Sequence, residues 1–263
     1  MFTIIAAILC GIVSGVALGF SETATPPWSV FWGILIALGA QLGAGFWLKR
    51  KIEKGMFEVQ NILQQGQKHL QNKVAQWSMR PPGSPKQAQL DLEREQKKFV
   101  MQALEAADNL EKWRLWSPLL GKQVTTLRMQ LYFQIKDYKM VDKLMPHCLF
   151  LEPMTVAMRL ARMYLKNEEG LEEAFAKSLK RLQRFGRGAN TAILFALYSW
   201  ILVQKGDIGG AHKTLLNGCE LNDSETLKRN RDLLANNKIN HFNNSGFGEE
   251  WYALGVEEPK IKM

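Results

Sequence analysis

A chain of 263 residues with 34 Lys and Arg against 25 Asp and Glu has a net charge of +9, which favours an anionic membrane surface or an acidic partner. That charge is spread along the sequence without a recognition motif, which argues against nucleic acid. Three distant cysteines (Cys10, Cys148, Cys219) and four histidines lacking H-x-x-x-H or paired C-x-x-C spacing exclude a disulfide framework and a metal site.

The stretches 2–20 and 30–48 are apolar and free of charge throughout. As helices they are each about 28 Å long, enough for a hydrocarbon core of about 30 Å. Residues 21–29 contain Pro26 and Pro27, which stop a helix, and no Lys or Arg. Lys49, Arg50, Lys51 and Lys54 follow the second apolar run. An excess of cations on that side predicts a two-pass hairpin in an inner (plasma) membrane, with both termini cytoplasmic and the Glu22-bearing loop outside. These four cations are the expected membrane-surface residues. A cleaved signal peptide would need a basic segment ahead of the apolar run, and none precedes it.

Small residues in the two spans are spaced for close helix packing. Gly11, Gly15 and Gly19 recur every fourth residue, and Gly39 and Gly43 repeat that spacing beside Ala40 and Ala44. Such faces let backbones approach, so these five glycines are the expected packing positions, against the other span or a second copy of the hairpin. Gln41 is the single strongly polar residue deep in the spans.

Residues 49–79 are predicted as one polar helix with Ile52, Met56, Val59, Leu63, Leu70 and Trp77 on a stripe. It either extends the second span as a coiled coil, with Gly66 and Lys73 interrupting the seam, or lies along the leaflet. Residues 80–85, with Pro81, Pro82 and Pro85, form the expected linker. A long helix follows over 86–116, closed by Ser117-Pro118, and another runs to about Ile135. No stretch shows the alternation of a strand. The fold class is therefore all-α.

Self-similarity appears next. Tyr132, Lys136-Asp137-Tyr138, Val141 and Leu151-Glu152-Pro153 align with Leu202, Gly206-Asp207-Ile208, Ala211 and Leu221-Asn222-Asp223 at one constant offset. Between them Tyr164, Glu168-Glu169-Gly170-Leu171, Ala174 and Leu182 repeat the pattern with an insertion at the turn. Ser199, Ala211 and Gly218 supply small residues where paired helices approach. This pattern, over residues 122–227, resembles the tetratricopeptide repeat, and implies an α-solenoid across 86–235 with residues 236–263 as a capping tail. Behind a two-span hairpin, the arrangement is similar in architecture alone to the HemY-like inner-membrane family tied to haem biosynthesis. No shared residues carry haem chemistry over, and no cofactor is expected.

A solenoid of this kind leaves a concave surface lined by the first helix of each pair. By the resemblance, its groove positions are Gln130, Gln134, Arg162, Lys166, Trp200 and Gln204. Cations, amides and one aromatic ring suit an extended, acidic protein or peptide partner. Lys177, Lys180, Arg181, Arg184 and Arg187 fall largely on one helical face. Phe247, Trp251 and Tyr252 are expected to dock as a cap, with fraying past Glu257.

The sequence has no nucleophile elbow, Walker loop, dinucleotide fingerprint, zinc helix or kinase signature. Gly186-x-Gly188 is a turn without a preceding strand. Glu168, Glu169, Glu172 and Glu173 sit at a helix start, where the dipole favours them. A non-enzymatic, membrane-anchored scaffold is the expectation. The alternatives are a small transport or channel component, suggested by Gln41, or an accessory subunit of a membrane complex.

Overall fold

The computed structural model describes residues 2–20, 26–79, 84–116, 119–186 and 190–258. The Glu22 loop, Arg80-Pro81-Pro82-Gly83, Ser117-Pro118, Arg187, Gly188 and the residues past Glu258 lie outside the described residues, as do the surroundings of Gly19. Among the described residues every regular element is a helix. The chain divides into two compact units, Met1–Ile135 and Lys136–Met263.

The first unit holds α1 (Phe2–Phe20), α2 (Pro26–Met79), α3 (Pro85–Glu111) and α4 (Leu120–Gln134). Pro26 and Pro27, expected to stop a helix within the connecting segment 21–29, instead open α2. Proline is tolerated in a first turn, where its missing N–H would have had no helical partner. From there α2 runs unbroken for 54 residues, about 80 Å. The apolar run and the polar run after Leu48 are thus one rod. Among the described residues α2 is the one helix long and apolar enough to cross a membrane, and only 6% of its apolar stretch is buried.

α1 packs antiparallel on the start of α2. A Cβ at Gly11 would meet Ala37 Cβ at 2.7 Å and the Gly33 carbonyl at 2.9 Å, while one at Gly33 would meet Gly15 Cα at 3.3 Å. The small-residue contact therefore joins Gly11 and Gly15 to Gly33 and Ala37. Gly39 and Gly43 have nothing within 4 Å of an added Cβ. Both stand two positions from the Ala37–Gln41 stripe, about 200° around the helix, so the spacing that aligns them with each other turns them away from α1. Gln41 lies on the packed side, its Oε1 buried without a hydrogen-bond partner.

Past Leu48 the stripe of α2 meets α3 and α4, neither a second coiled-coil strand nor a leaflet. Val59, Val100, Ala103, Leu104, Ala107 and Leu131 form one core, with Ile62 and Leu63 against it. Leu110, Leu120 and Val124 form another, under Ile52, Met56 and Trp113. Two glycines set the approach of α3: Gly66 receives Phe99, whose Cβ would stand 2.9 Å from an added Cβ, and Gly55 receives Leu110. Gly66, an interruption in a coiled-coil seam, is here the socket for an aromatic ring. Ser84 caps α3 by accepting from Gln87 N at 3.2 Å, with Pro85 at the first turn. Arg128 ties α4 to α3 through Asp108 at 3.3 Å and Glu111 at 2.8 Å.

The second unit contains α5 (Tyr138–Leu144), α6 (Pro153–Leu165), α7 (Leu171–Arg184), α8 (Ala192–Gln204), α9 (Ile208–Leu221), α10 (Glu225–Ala235) and the short α11 (Glu249–Tyr252). α6 packs on α7 and α8, and α8 on α9 and α10. The constant offset in sequence reappears as turn geometry. Lys136 and Gly206 both have positive φ (58° and 82°). Each precedes an aspartate cap: Asp137 accepts from Met140 N at 3.2 Å and Asp207 from Gly210 N at 2.8 Å. Asn167 and Asn237, both at φ 54°, end α6 and α10 in the same way, with Glu168 N donating to Met163 O and Lys238 N to Leu233 O.

α8 is the centre of this unit. Every residue from Ile193 to Ile201 is buried, so it offers no polar face and must be covered on all sides. Gly218 lets α9 approach: an added Cβ would meet Phe195 at 2.9 Å.

Filling the α2 socket tests the first unit. Gly66→Leu should lower the stability of the detergent-solubilised chain by about 1–3 kcal/mol, the usual cost of overpacking, read as a lower urea midpoint. An unchanged midpoint would mean that α3 does not pack on this face.

Candidate functional site

The six groove residues divide between the units. Gln130, half-buried, and Gln134, exposed, belong to α4 in the first. Arg162 and Lys166 at the end of α6 and Trp200 and Gln204 on α8 belong to the second.

Arg162 is held by its own chain. Its Nε donates to Asp142 Oδ1 at 3.0 Å and its Nη2 to Asp142 Oδ2 at 2.8 Å, a bidentate fork. The guanidinium also lies 4.5 Å from the Tyr138 ring centroid, and its side chain is only 12% exposed. Lys166 approaches Asp142 at 3.9 Å and Glu168 at 2.7 Å. The Arg162 hydrogen bonds, then the charges of Arg162 and Lys166, keep the Asp142 carboxyl below its ordinary 3.8. Asp142 has no sequence signal, because its position on α5 carries no motif and its partner stands on a different helix.

Trp200 is 7% exposed and enclosed by aromatic neighbours. Tyr164 meets it edge-on at 5.6 Å and Trp251 at 5.9 Å. Its Nε1 donates to Glu257 Oε1 at 2.9 Å, and Trp251 Nε1 donates to Glu257 Oε2 at 2.6 Å. One carboxylate thus receives two indole N–H groups. The tail is pinned upstream as well: Asn244 Nδ2 donates to the Ala196 carbonyl at 3.1 Å, and Asn230 Nδ2 to Asn244 Oδ1 at 2.7 Å. Trp251, Leu254, Asn230 and Asn244 are all fully buried. Gly255, at φ 68°, passes the Tyr138 hydroxyl where a Cβ would collide. Residues 243–257 therefore cover the face of α8 that carries Trp200, and the chain's own Glu257 sits where an acidic ligand was expected. Gln204 remains exposed.

An open concavity lies elsewhere on the second unit, a cleft of about 820 Å³ between the α6–α7 turn and α8. Tyr164, Leu171, Tyr198, Ile201 and Leu202 supply aromatic and aliphatic surface. Glu168, Glu169, Glu172 and Glu173 supply carboxylates, and Lys205 is the one cation on its lining. Glu168 is paired with Lys166. Gly170, at φ 76°, makes the left-handed turn that starts α7 and brings the glutamates to the rim. Tyr198 is 8% exposed and stacks on Phe175 with ring centroids 4.3 Å apart and planes at 12°. Burial, then the charges of Glu172 and Asp207, push its phenol up to about 12. Sequence pattern identified these glutamates only as a favourable helix start. Their meeting with Tyr198 requires α8 to lie alongside α7.

The described residues include no group of three or more His, Cys, Asp or Glu able to hold a metal ion. Comparison with known proteins finds no matching family, curated protein or solved structure.

Two measurements test this geometry. Trp200→Ala should cost about 3–5 kcal/mol, the range for removing a buried aromatic, seen as a lower denaturation midpoint. Tyr198 should titrate near pH 12, followed by the ultraviolet absorbance of the phenolate. Because the unfolded phenol releases its proton near 10.0 and the folded one near 12, stability should fall as pH rises between those values.

Proposed function

We propose that this protein is a membrane-anchored scaffold in which α1 and the first part of α2 form a two-pass hairpin, and the helical second unit holds a segment of a protein partner at the cytoplasmic face. The supporting observation is the continuity of α2: the apolar stretch and the stretch that carries the α3–α4 cores are one helix. Lys49, Arg50, Lys51 and Lys54 follow Leu48 on that helix, as expected for the cytoplasmic boundary of a span. The scaffold reading, with its tetratricopeptide-like helical pairs, draws support from the recurrent turns at Lys136-Asp137 and Gly206-Asp207.

In this proposal the partner binds at the acidic cleft. Arg162, Lys166 and Trp200 are engaged within the chain, whereas Glu169, Glu172 and Glu173 have no ion pair among the described residues. The partner segment is therefore basic: an aliphatic stem lies on Leu202 and Tyr164 while its ammonium or guanidinium group meets the rim carboxylates.

A photo-crosslinking residue at exposed Ala176, in the cleft lining, should give a discrete protein adduct in the membrane fraction. That adduct should fall about tenfold or more with Glu169→Lys and Glu172→Lys together, since like charges across a contact cost several kcal/mol. An adduct indifferent to both substitutions would place the partner elsewhere. Reporter fusions at Lys54 and Met263 should read cytoplasmic and one at Thr25 external. Solute flux through liposomes carrying the chain, lost on Gln41→Leu, would favour transport over scaffolding.

A further inference from the structure

The turn that follows α3, residues 112–116, comes down beside the end of the apolar part of α2. Trp113 meets Trp47 edge-on with centroids 5.3 Å apart, and Trp116 lies 6.4 Å from Trp113. Trp47 is the residue before Leu48, so this cluster sits at the level where the apolar run gives way to Lys49-Arg50-Lys51. Aliphatic side chains near it in sequence are exposed, Leu115 at 60% and Leu119 at 57%. Two cations of α2 lie at the same level. Lys51 lies 5.9 Å from the Trp47 ring and Arg50 4.4 Å from that of Phe46, and Lys112 and Arg114 flank Trp113 in sequence.

Indole rings backed by aliphatic side chains and ringed by Lys and Arg are the composition of the headgroup layer. There the ring body leaves water while cations remain near anionic lipid. Residues 112–116 and Leu119 lie far downstream of Trp47, so hydropathy along the chain does not find them. Packing of α3 on α2 is what returns this turn to the boundary.

We propose that residues 112–116 with Leu119 form an interfacial foot, seated in the headgroup layer of an anionic bilayer next to the exit point of α2. The foot rests on the reading that α2 crosses that bilayer. With it, the first unit meets the membrane at two separated points of the chain, which orients the α2–α3–α4 body and does not leave it free to swivel on one helix.

The test uses the full chain in vesicles of phosphatidylcholine and phosphatidylglycerol at three to one. Nitroxide labels are placed singly at positions 38, 72, 115 and 119 in a variant lacking the three native cysteines, and their collisions with oxygen and with a water-soluble nickel chelate are compared. Leu38 is exposed on α2, and position 72 is about 36 Å beyond Leu48 along the helix. Expected is a deep label at 38, an aqueous one at 72, and interfacial labels at 115 and 119, favouring oxygen over nickel relative to 72. Labels at 115 and 119 that match 72 while 38 stays deep would overturn the foot and leave the span standing. An aqueous label at 38 would overturn the span and the foot with it. The unlabelled native chain gives a second measurement that needs no substitution. A diazirine-bearing phosphatidylcholine should crosslink to peptides covering 112–116, and lack of such adducts alongside labelling of α2 would equally overturn the foot.

Discussion

An apolar helix has to be covered, and the two most apolar stretches of this chain are covered in opposite ways. α8 is wrapped by protein on every side, by α6, α9, α10 and the tail, until no residue from Ile193 to Ile201 is more than 8% exposed. The apolar stretch of α2 has α1 along one face and Trp113 against its end, and is largely open between, with Leu42 at 74% and Phe46 at 59% exposure. Each fully buried large apolar side chain is worth about 1.5–3 kcal/mol relative to water. So long a row left open is therefore tolerable where the surroundings are themselves apolar. α8 builds a core, whereas the apolar stretch of α2 stays largely exposed.

The demand made by α8 also decides which chemistry the second unit can offer. A ring as large as Trp200 needs cover, and its N–H needs an acceptor. Trp251 supplies the first and the Glu257 carboxylate both satisfies Trp200 and takes the Trp251 N–H. Arg162 meets the same requirement through Asp142. Satisfied groups of this kind hold the fold together and are withdrawn from recognition. The α6–α7 turn stays accessible, and its glutamates, tolerated at the start of α7 by the helix dipole, stand beside the buried Tyr198. The acidic character of this cleft comes from the four glutamates of the α6–α7 turn and the start of α7.

In the first unit the decisive feature is absence of side chain. Gly55 and Gly66 admit Leu110 and Phe99 to the surface of α2, so α3 lies close enough to bury Val59, Val100, Ala103 and Ala107 together. That close packing gives α3 its alignment along α2, and the alignment returns Trp113 to Trp47. Rigid elements packed this way carry position over distance. The place of the turn after α3 is set by contacts made several helical turns earlier, at Phe99 and Val100.

Much of this was legible in the sequence by itself. Charge-free runs bounded by Lys49-Arg50-Lys51 announce the apolar helices, since a helix's apolar character is set by local composition. Periodicity of about 3.6 announces an all-helical chain. Turn chemistry at Lys136-Asp137 and Gly206-Asp207 recurs at the offset that the residues show, because left-handed turns and aspartate caps are local hydrogen-bond problems. Tertiary structure decided everything that depends on which faces meet. It turned Gly39 and Gly43 away from α1 and put Gly33 in contact, made Gly66 a socket for Phe99, and placed α3 and α4 with α2. It also closed Trp200 under the tail and paired Arg162 with Asp142. These outcomes join residues distant in sequence, as Trp200 is from Glu257. Periodicity defines a face but not its partner, and the partner is chosen by shape and by the need to satisfy every buried polar group at once.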